Sequence, residues 1–345
     1  MTKTARDFGL TCGVLPQGRL NAITDIAGVQ VGHVTLRTGD INTGVTAILP
    51  HSGNLFRKKV VAASDVINGF GKSVGLVQVE ELGTIETPIL LTNTLSVPAC
   101  TSRLIREAIA QNPDIGRSTS TVNALVCECN DGPLNDIQAM AITEDHAKAA
   151  LLAARPGKVE QGSVGAGTGM TCFGFKGGIG SASRQLTLDG SLYHAGALVL
   201  TNFGNAGDLV LPDGRRPHPE GGVARPETPE KGSVIIILAT DIPLESRQLK
   251  RMARRAAAGL ARLGSFWGHG SGDISIAFTT ANTIDHDQAS DLVSQSLLNE
   301  NRMDLLFRAS AEATEEAVLN SLLSTAEFIG RGGELRHSLA DWLKA

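Results

Sequence analysis

Aromatic side chains are scarce in this 345-residue chain: ten Phe, two Trp and one Tyr, Tyr193, make up 4% of it. Protein-recognition surfaces draw their hot spots from Trp and Tyr, so a recognition module is a poor fit. An excess of charge of either sign is also missing. With 31 basic and 35 acidic residues the net charge is -4, and no basic run exceeds a few residues, which argues against nucleic acid as the main partner. No stretch reaches the ~20 uninterrupted apolar residues that span a bilayer, so no membrane partner is expected. The opening residues, MTKTARDFGLTCGVLP, lack the apolar core of a signal peptide, and a cytoplasmic protein is expected.

Cysteine and histidine are present without pattern. Cys12, Cys100, Cys127, Cys129 and Cys172 are odd in number and scattered, so no disulfide framework follows. Cys127-Glu128-Cys129 has no second Cys or His pair near it and reads as buried strand thiols rather than a metal site. The eight histidines show no H-x-x-x-H or H-E-x-x-H spacing. A zinc site or a His-based triad has little to stand on, and no metal or cofactor is expected.

Glycine, by contrast, is abundant at 39 residues, well above the usual ~7%. A core of Val, Ile, Leu and Ala with many tight turns suits an enzyme with Gly-lined loops. Apolar runs of strand length occur at Val60–Val66, Thr87–Thr92, Ala124–Glu128, Ala195–Thr201, Ser233–Thr240 and Asp273–Thr279. The run at 233–239 reads as buried on both faces, and the alternation at 273–278 as half buried. Glu245–Leu263 places Leu249, Met252, Ala253, Ala256, Leu260 and Leu263 on one helical stripe, with Lys250, Arg251, Arg254 and Arg255 off it and Gly264 as a stop. Asp304–Leu323 repeats the one-sided stripe with Leu305, Leu306, Ala309, Ala313, Ala317 and Leu323, and Ala99–Ala110 and Glu144–Ala154 are expected as further helices. Leu211–Gly232, with five prolines and four glycines, reads as a surface loop. Mixed strands and helices predict sheet layers sandwiched with helices.

Two Gly-rich runs mimic nucleotide sites. Asn68-Gly-Phe-Gly-Lys-Ser73 resembles the end of a phosphate loop, but the required upstream glycine is Val66. Gly165-Ala-Gly-Thr-Gly169 is followed by a stretch too rich in glycine to be the helix a dinucleotide loop needs.

The segment that carries chemistry is Phe266-Trp-Gly-His-Gly-Ser-Gly-Asp-Ile-Ser-Ile-Ala-Phe278. Glycine at Gly270 permits a strained peptide, so the Ser271 hydroxyl could attack its own preceding carbonyl. An N→O acyl shift and hydrolysis would leave Ser271 as a new N-terminus. A free α-amine has a pKa near ~7.7–8.0 and can serve as base for its own hydroxyl, without His or metal. On spacing alone, the same run also fits an ordinary turn.

From Gly18-Arg-Leu-Asn-Ala-Ile-Thr-Asp25 to about Leu323, the chain resembles the DmpA-type aminopeptidases, the family of the β-peptidyl aminopeptidases. The matching stretches include Gly28–Val34, Gly44–Pro50, Asn68–Ser73, Gln78–Pro88, Leu91–Val97, Glu128–Gly132 with Leu134–Asp136, Gly165–Met170, Cys172–Gly180, Asp241–Leu263, Gly270–Asp273 and Ser310–Val318. The resemblance implies an α/β, four-layer αββα sandwich like that of N-terminal-nucleophile hydrolases, with different strand connectivity. It implies one domain over residues 1–345 that cuts itself into 1–270 and 271–345 and assembles as a homotetramer. The implied substrates are short peptides, amides or esters with a free N-terminal amine. By the same resemblance Ser271 is the nucleophile, Gly270 the residue before the cut, and Asn202 the oxyanion donor. Glu128 is the acid that holds the substrate ammonium. Asn130 stands where relatives have a catalytic Tyr, and its role is open. Ser310-Ala-Glu312 matches a pair that orients the nucleophile, with Glu315 as the fallback. Ornithine acetyltransferases and nylon-oligomer hydrolases share the architecture but typically use Thr. A scaffold that has lost its chemistry is the remaining alternative.

Overall fold

The computed structural model describes residues 3–223 and 227–344; residues 224–226 of the Pro-rich loop, and residues 1, 2 and 345 at the termini, lie outside these. Two sheets form. The first takes β1 (Gln30–Thr38), β2 (Ile41–Leu49), β5 (Ile89–Asn93) and β6 (Leu125–Cys129), in the order β1-β2-β5-β6. The second takes β3 (Lys58–Gly69), β4 (Thr84–Ile85), β7 (Ile179–Leu188), β8 (Ser191–Asn202), β9 (Lys231–Thr240) and β10 (Gly270–Asp285), in the order β4-β3-β10-β9-β8-β7. Pairing is antiparallel except at β5/β6 and β9/β10. A short helix, α1 (Leu76–Leu82), links β3 to β4.

Three separate apolar cores define the layers. Ile48, Ile89, Leu91 and Leu125 of the first sheet meet Leu198, Leu200, Ile235, Ile237, Ile274 and Ile276 of the second. The outer face of the first sheet packs Val45, Ala47, Leu90 and Val126 on α2 (Val97–Gln111) and α3 (Glu144–Ala153). The outer face of the second packs Val199, Val234, Ile236 and Leu238 on α4 (Ser246–Arg262) and α5 (Met303–Leu323). The result is the expected αββα sandwich: each sheet buries both faces, which its aliphatic runs allow.

All six expected strands and all four expected helices form, with shifted ends. The α4 stripe is buried as its spacing predicts. Off that stripe, Arg254 pairs with Asp65 and Lys250 with Glu80. Two expectations need correction. The strand at 273–278 is buried on both faces, not one, because β10 is central in its sheet, with the apolar core between the sheets on one side and α4 on the other. Its polar residues Asp273 and Ser275 alternate inward, toward protein. α5 is buried nearly all round, since α4 flanks it and the N-terminal turn Ala5–Phe8 lies over it. The Ala5 N–H donates to Asn320 Oδ1 at 2.8 Å. Among the described residues no helix is long and apolar enough to cross a membrane.

Candidate active site

At one end of the sandwich β6 and β8 finish and β10 begins. The three ends frame a cleft of about 490 Å3 whose walls include Phe70, Lys72, Glu128, Asn130, Asn202 and Gly270. Residues far apart in sequence meet there because the strands end in register: Asn202 pairs with Ser233, and Ser233 with Gly272.

Glu128 is an interior strand residue whose carboxylate reaches the cleft. It is only 3% exposed, and its Oε1 accepts the Lys72 N–H at 2.8 Å while Oε2 accepts the Thr94 hydroxyl. Two donors hold the carboxylate in one orientation, with lone pairs left over for a cation in the cleft. Asn202, at the C-terminal end of β8, is fixed from both sides. Its Oδ1 accepts the Thr171 N–H at 3.0 Å, and its Nδ2 donates to the Asn130 carbonyl at 2.9 Å. That assigns the amide's orientation and leaves one N–H of Nδ2 available. Asn130 lines the same cleft, but its own Oδ1 accepts the Gly132 N–H at 2.9 Å. It thereby closes the turn that Asn-Asp-Gly favours.

Gly270 forms part of the cleft wall, whereas Ser271 is fully buried and donates its hydroxyl to Asp273 Oδ1 at 2.7 Å. The chain on both sides of their junction is held by hydrogen bonds. Asn68 Nδ2 donates to the carbonyls of Gly268, at 3.0 Å, and Ser271. Phe70 N–H donates to the Ser271 carbonyl at 3.2 Å, and Ser271 N–H to the Gly268 carbonyl at 3.0 Å. Gly270 is not in the left-handed region; the residue that is left-handed is Trp267, at φ 54°. For a bulky side chain that conformation costs roughly 1–3 kcal/mol, so the strain expected at Gly270 sits three residues upstream. Gly272 is required by close approach, because a Cβ there would lie 2.6 Å from the Phe70 carbonyl oxygen.

The expected contact of Ser310 and Glu312 with the nucleophile is not formed. Ser310 donates to the Leu306 carbonyl of its own helix at 2.8 Å. Glu312 accepts the N–H groups of Val14 and Leu15, at 3.1 and 3.0 Å, and pairs with Arg184 at 3.3 Å. Arg184 belongs to the row Arg184–Ala195–Thr240–Thr279, eight residues along β10 from Ser271, or about 26 Å at ~3.3 Å per residue. Glu315 pairs instead with Arg262. Because α5 runs over β7 and β8 and α4 covers β10, the Ser-x-Glu run braces the N-terminal segment. Glu312→Gln should therefore destabilise the protein by about 3 kcal/mol, the scale of a broken buried ion pair, with the Gly270–Ser271 junction still processed. Denaturant midpoints and mass spectra would check this; normal stability with lost processing would return Glu312 to the nucleophile.

The sequence reading missed Asn68, Thr94 and Asp273. Asn68 stood in view, in the run first compared with a phosphate loop, but its partners lie some 200 residues away. The five thiols are unpaired and buried. Burial pushes Cys127 up to about 12 and Cys129 well above its ordinary value, so neither is a thiolate nucleophile.

A four-layer αββα sandwich with a serine buried at the head of a central strand, next to a cleft walled by carboxylate and amide groups, is the architecture of an N-terminal-nucleophile hydrolase. Comparison with known proteins gives the family. The chain belongs to peptidase family S58, whose model matches residues 21–336, and it is an aminopeptidase-class hydrolase. It is 38% identical over 353 residues to the β-peptidyl aminopeptidase BapA of Sphingosinicella microcystinivorans, covering 95% of this chain and 87% of that one. The l-aminopeptidase d-ala-esterase/amidase of Ochrobactrum anthropi, described as a prototype for the serine aminopeptidases and a variant of the ntn hydrolase fold, superposes with a TM-score of 0.89 at 33% identity, over 99% of this chain and 96% of that one. The PH0078 protein of Pyrococcus horikoshii OT3 superposes with a TM-score of 0.91 at 44% identity, over 99% and 98%.

Proposed function

We propose that this chain is a self-processing serine aminopeptidase that cuts between Gly270 and Ser271 and then uses Ser271 as an N-terminal nucleophile. The observation that carries the reading is the meeting, at one cleft, of Glu128, Asn202 and Gly270, with Ser271 buried directly behind Gly270. Glu128 takes the free ammonium of the substrate, which places the first acyl carbon deeper in the cleft. The Ser271 hydroxyl attacks that carbon, and the α-amine freed by processing takes its proton and later returns it to the leaving amine. The spare N–H of Asn202 meets the oxygen on which charge develops. Water then releases the acyl group. Asn130 serves the site mainly through its carbonyl, which holds Asn202.

The substrates proposed are short peptides, amides or esters with an unblocked amine, with β-amino acid residues among them given the names of its relatives. A homotetramer and a cytoplasmic location complete the reading, resting on the family resemblance and on five unpaired thiols. A denaturing mass spectrum of the purified protein tests it: residues 1–270 and 271–345 should appear as separate species. The processed protein should hydrolyse a free aminoacyl-nitroanilide and not its N-acetyl form. An intact chain, or equal rates on both substrates, would refute the reading.

A further inference from the structure

Before the chain is cut, Ser271 has no free amine. Its nitrogen is the amide of the very bond to be broken, so the base that serves the processed enzyme does not yet exist. Another group must take the hydroxyl proton for the first attack. The surroundings of that hydroxyl narrow the choice. Ser271 Oγ donates to Asp273 Oδ1 at 2.7 Å, inside the protein. Asp273 is 1% exposed, and its other oxygen, Oδ2, has no hydrogen-bond partner among the described residues. A carboxylate kept only for structure would be expected to have both oxygens satisfied. The nearest histidine in sequence, His269, has its ring against Phe70.

We propose that Asp273 is the general base of the self-cleavage step, a role that rests on the self-processing reading above. Its carboxylate takes the Ser271 hydroxyl proton as Oγ bonds to the Gly270 carbonyl carbon, closing a five-membered ring through Cβ, Cα and N. The carbon–nitrogen bond then breaks, and the proton held on Asp273 passes to the departing nitrogen, which becomes the Ser271 α-amine. The product is an ester between Gly270 and Ser271 Oγ. Water hydrolyses it to the Gly270 carboxylate and the free hydroxyl, so no oxidant or cofactor enters.

Geometry and basicity both suit the task. The short i,i+2 span is locked because Gly272, between the two residues, leaves no room for a Cβ against Phe70. Asn68 and the Phe70 N–H pin the carbonyls on either side of the scissile bond. Burial, aided by the negative charge of Glu230, raises the Asp273 carboxyl to about 6. At neutral pH it is mostly ionised, yet a stronger base than an ordinary aspartate.

The test uses wild type, Asp273→Asn and Asp273→Ser, purified quickly and sampled over days by denaturing mass spectrometry, with thermal melts to establish folding. Both substitutions are neutral, and the smaller serine covers the case in which the asparagine variant does not fold. Wild type should be cut, and each folded variant should be cut at least ~100-fold more slowly, the usual scale of a positioned base. A folded variant cut at the wild-type rate overturns the assignment of Asp273 alone. A wild-type chain that stays whole overturns the self-processing reading instead.

Discussion

Ser271→Ala is expected to leave one uncut chain without aminopeptidase activity. On the proposed mechanism the substitution removes the hydroxyl that attacks the Gly270 carbonyl and, after processing, the substrate. The fold should survive, because Ser271 gives up one hydroxyl bond to Asp273 while its backbone stays held by Gly268 and Phe70. Loss of a serine nucleophile elsewhere costs on the order of 10^6 in kcat. Two readouts decide the matter: the mass of the denatured chain, and hydrolysis of a free-amine substrate. A variant still cut between 270 and 271 would place the nucleophile elsewhere. One cut normally but inactive would separate processing from catalysis.

Asn202→Ala should produce the next largest effect, a fall in kcat of about 10^2–10^3 with KM little changed. The reason is that the spare Nδ2 proton meets charge only after attack, so its loss affects the transition state more than the bound substrate. The fixed orientation matters as much as the proton. The Thr171 N–H on Oδ1 and the Asn130 carbonyl on Nδ2 hold the amide before any substrate arrives, so no reorganisation is needed during reaction. Steady-state kinetics would check this. A raised KM at constant kcat would make Asn202 a binding residue and not an oxyanion donor.

Much of this protein was legible in its residues. The aliphatic runs at 195–201 and 233–240 read as strands, the second buried on both faces, and the stripe at 249–263 read as a helix with one side covered, since period and composition are local properties. Ser271 stood out because a Gly-Ser-Gly-Asp run leading directly into a strand is a local pattern. Its resemblance to a self-processing family added the rest of its reading. The absence of a helix after Gly169 was legible for the same reason, since its glycines are local; two short strands follow there instead.

What failed depended on which elements touch. Ser310 and Glu312 sit on the expected helix, but the path of α5 over β7 and β8 puts them at the far end of the sheet, beside Arg184 and the N-terminal segment. The half-buried reading of 273–278 failed because alternation reports polarity and not burial. In β10 the polar side chains are interior, and one of them, Asp273, holds the Ser271 hydroxyl. Asn68 and Ser271 were each visible as residues, while their meeting required β3 to pair with β10 in one register. Sequence alone therefore determined the strands and the helices, which follow from interactions between near neighbours, and singled out Ser271 as the candidate nucleophile. The tertiary structure decided that Glu312 faces Arg184, 128 residues away, and not Ser271, and that Asn68 reaches the chain beside Ser271 from 200 residues upstream, because those contacts are made by strand order and register.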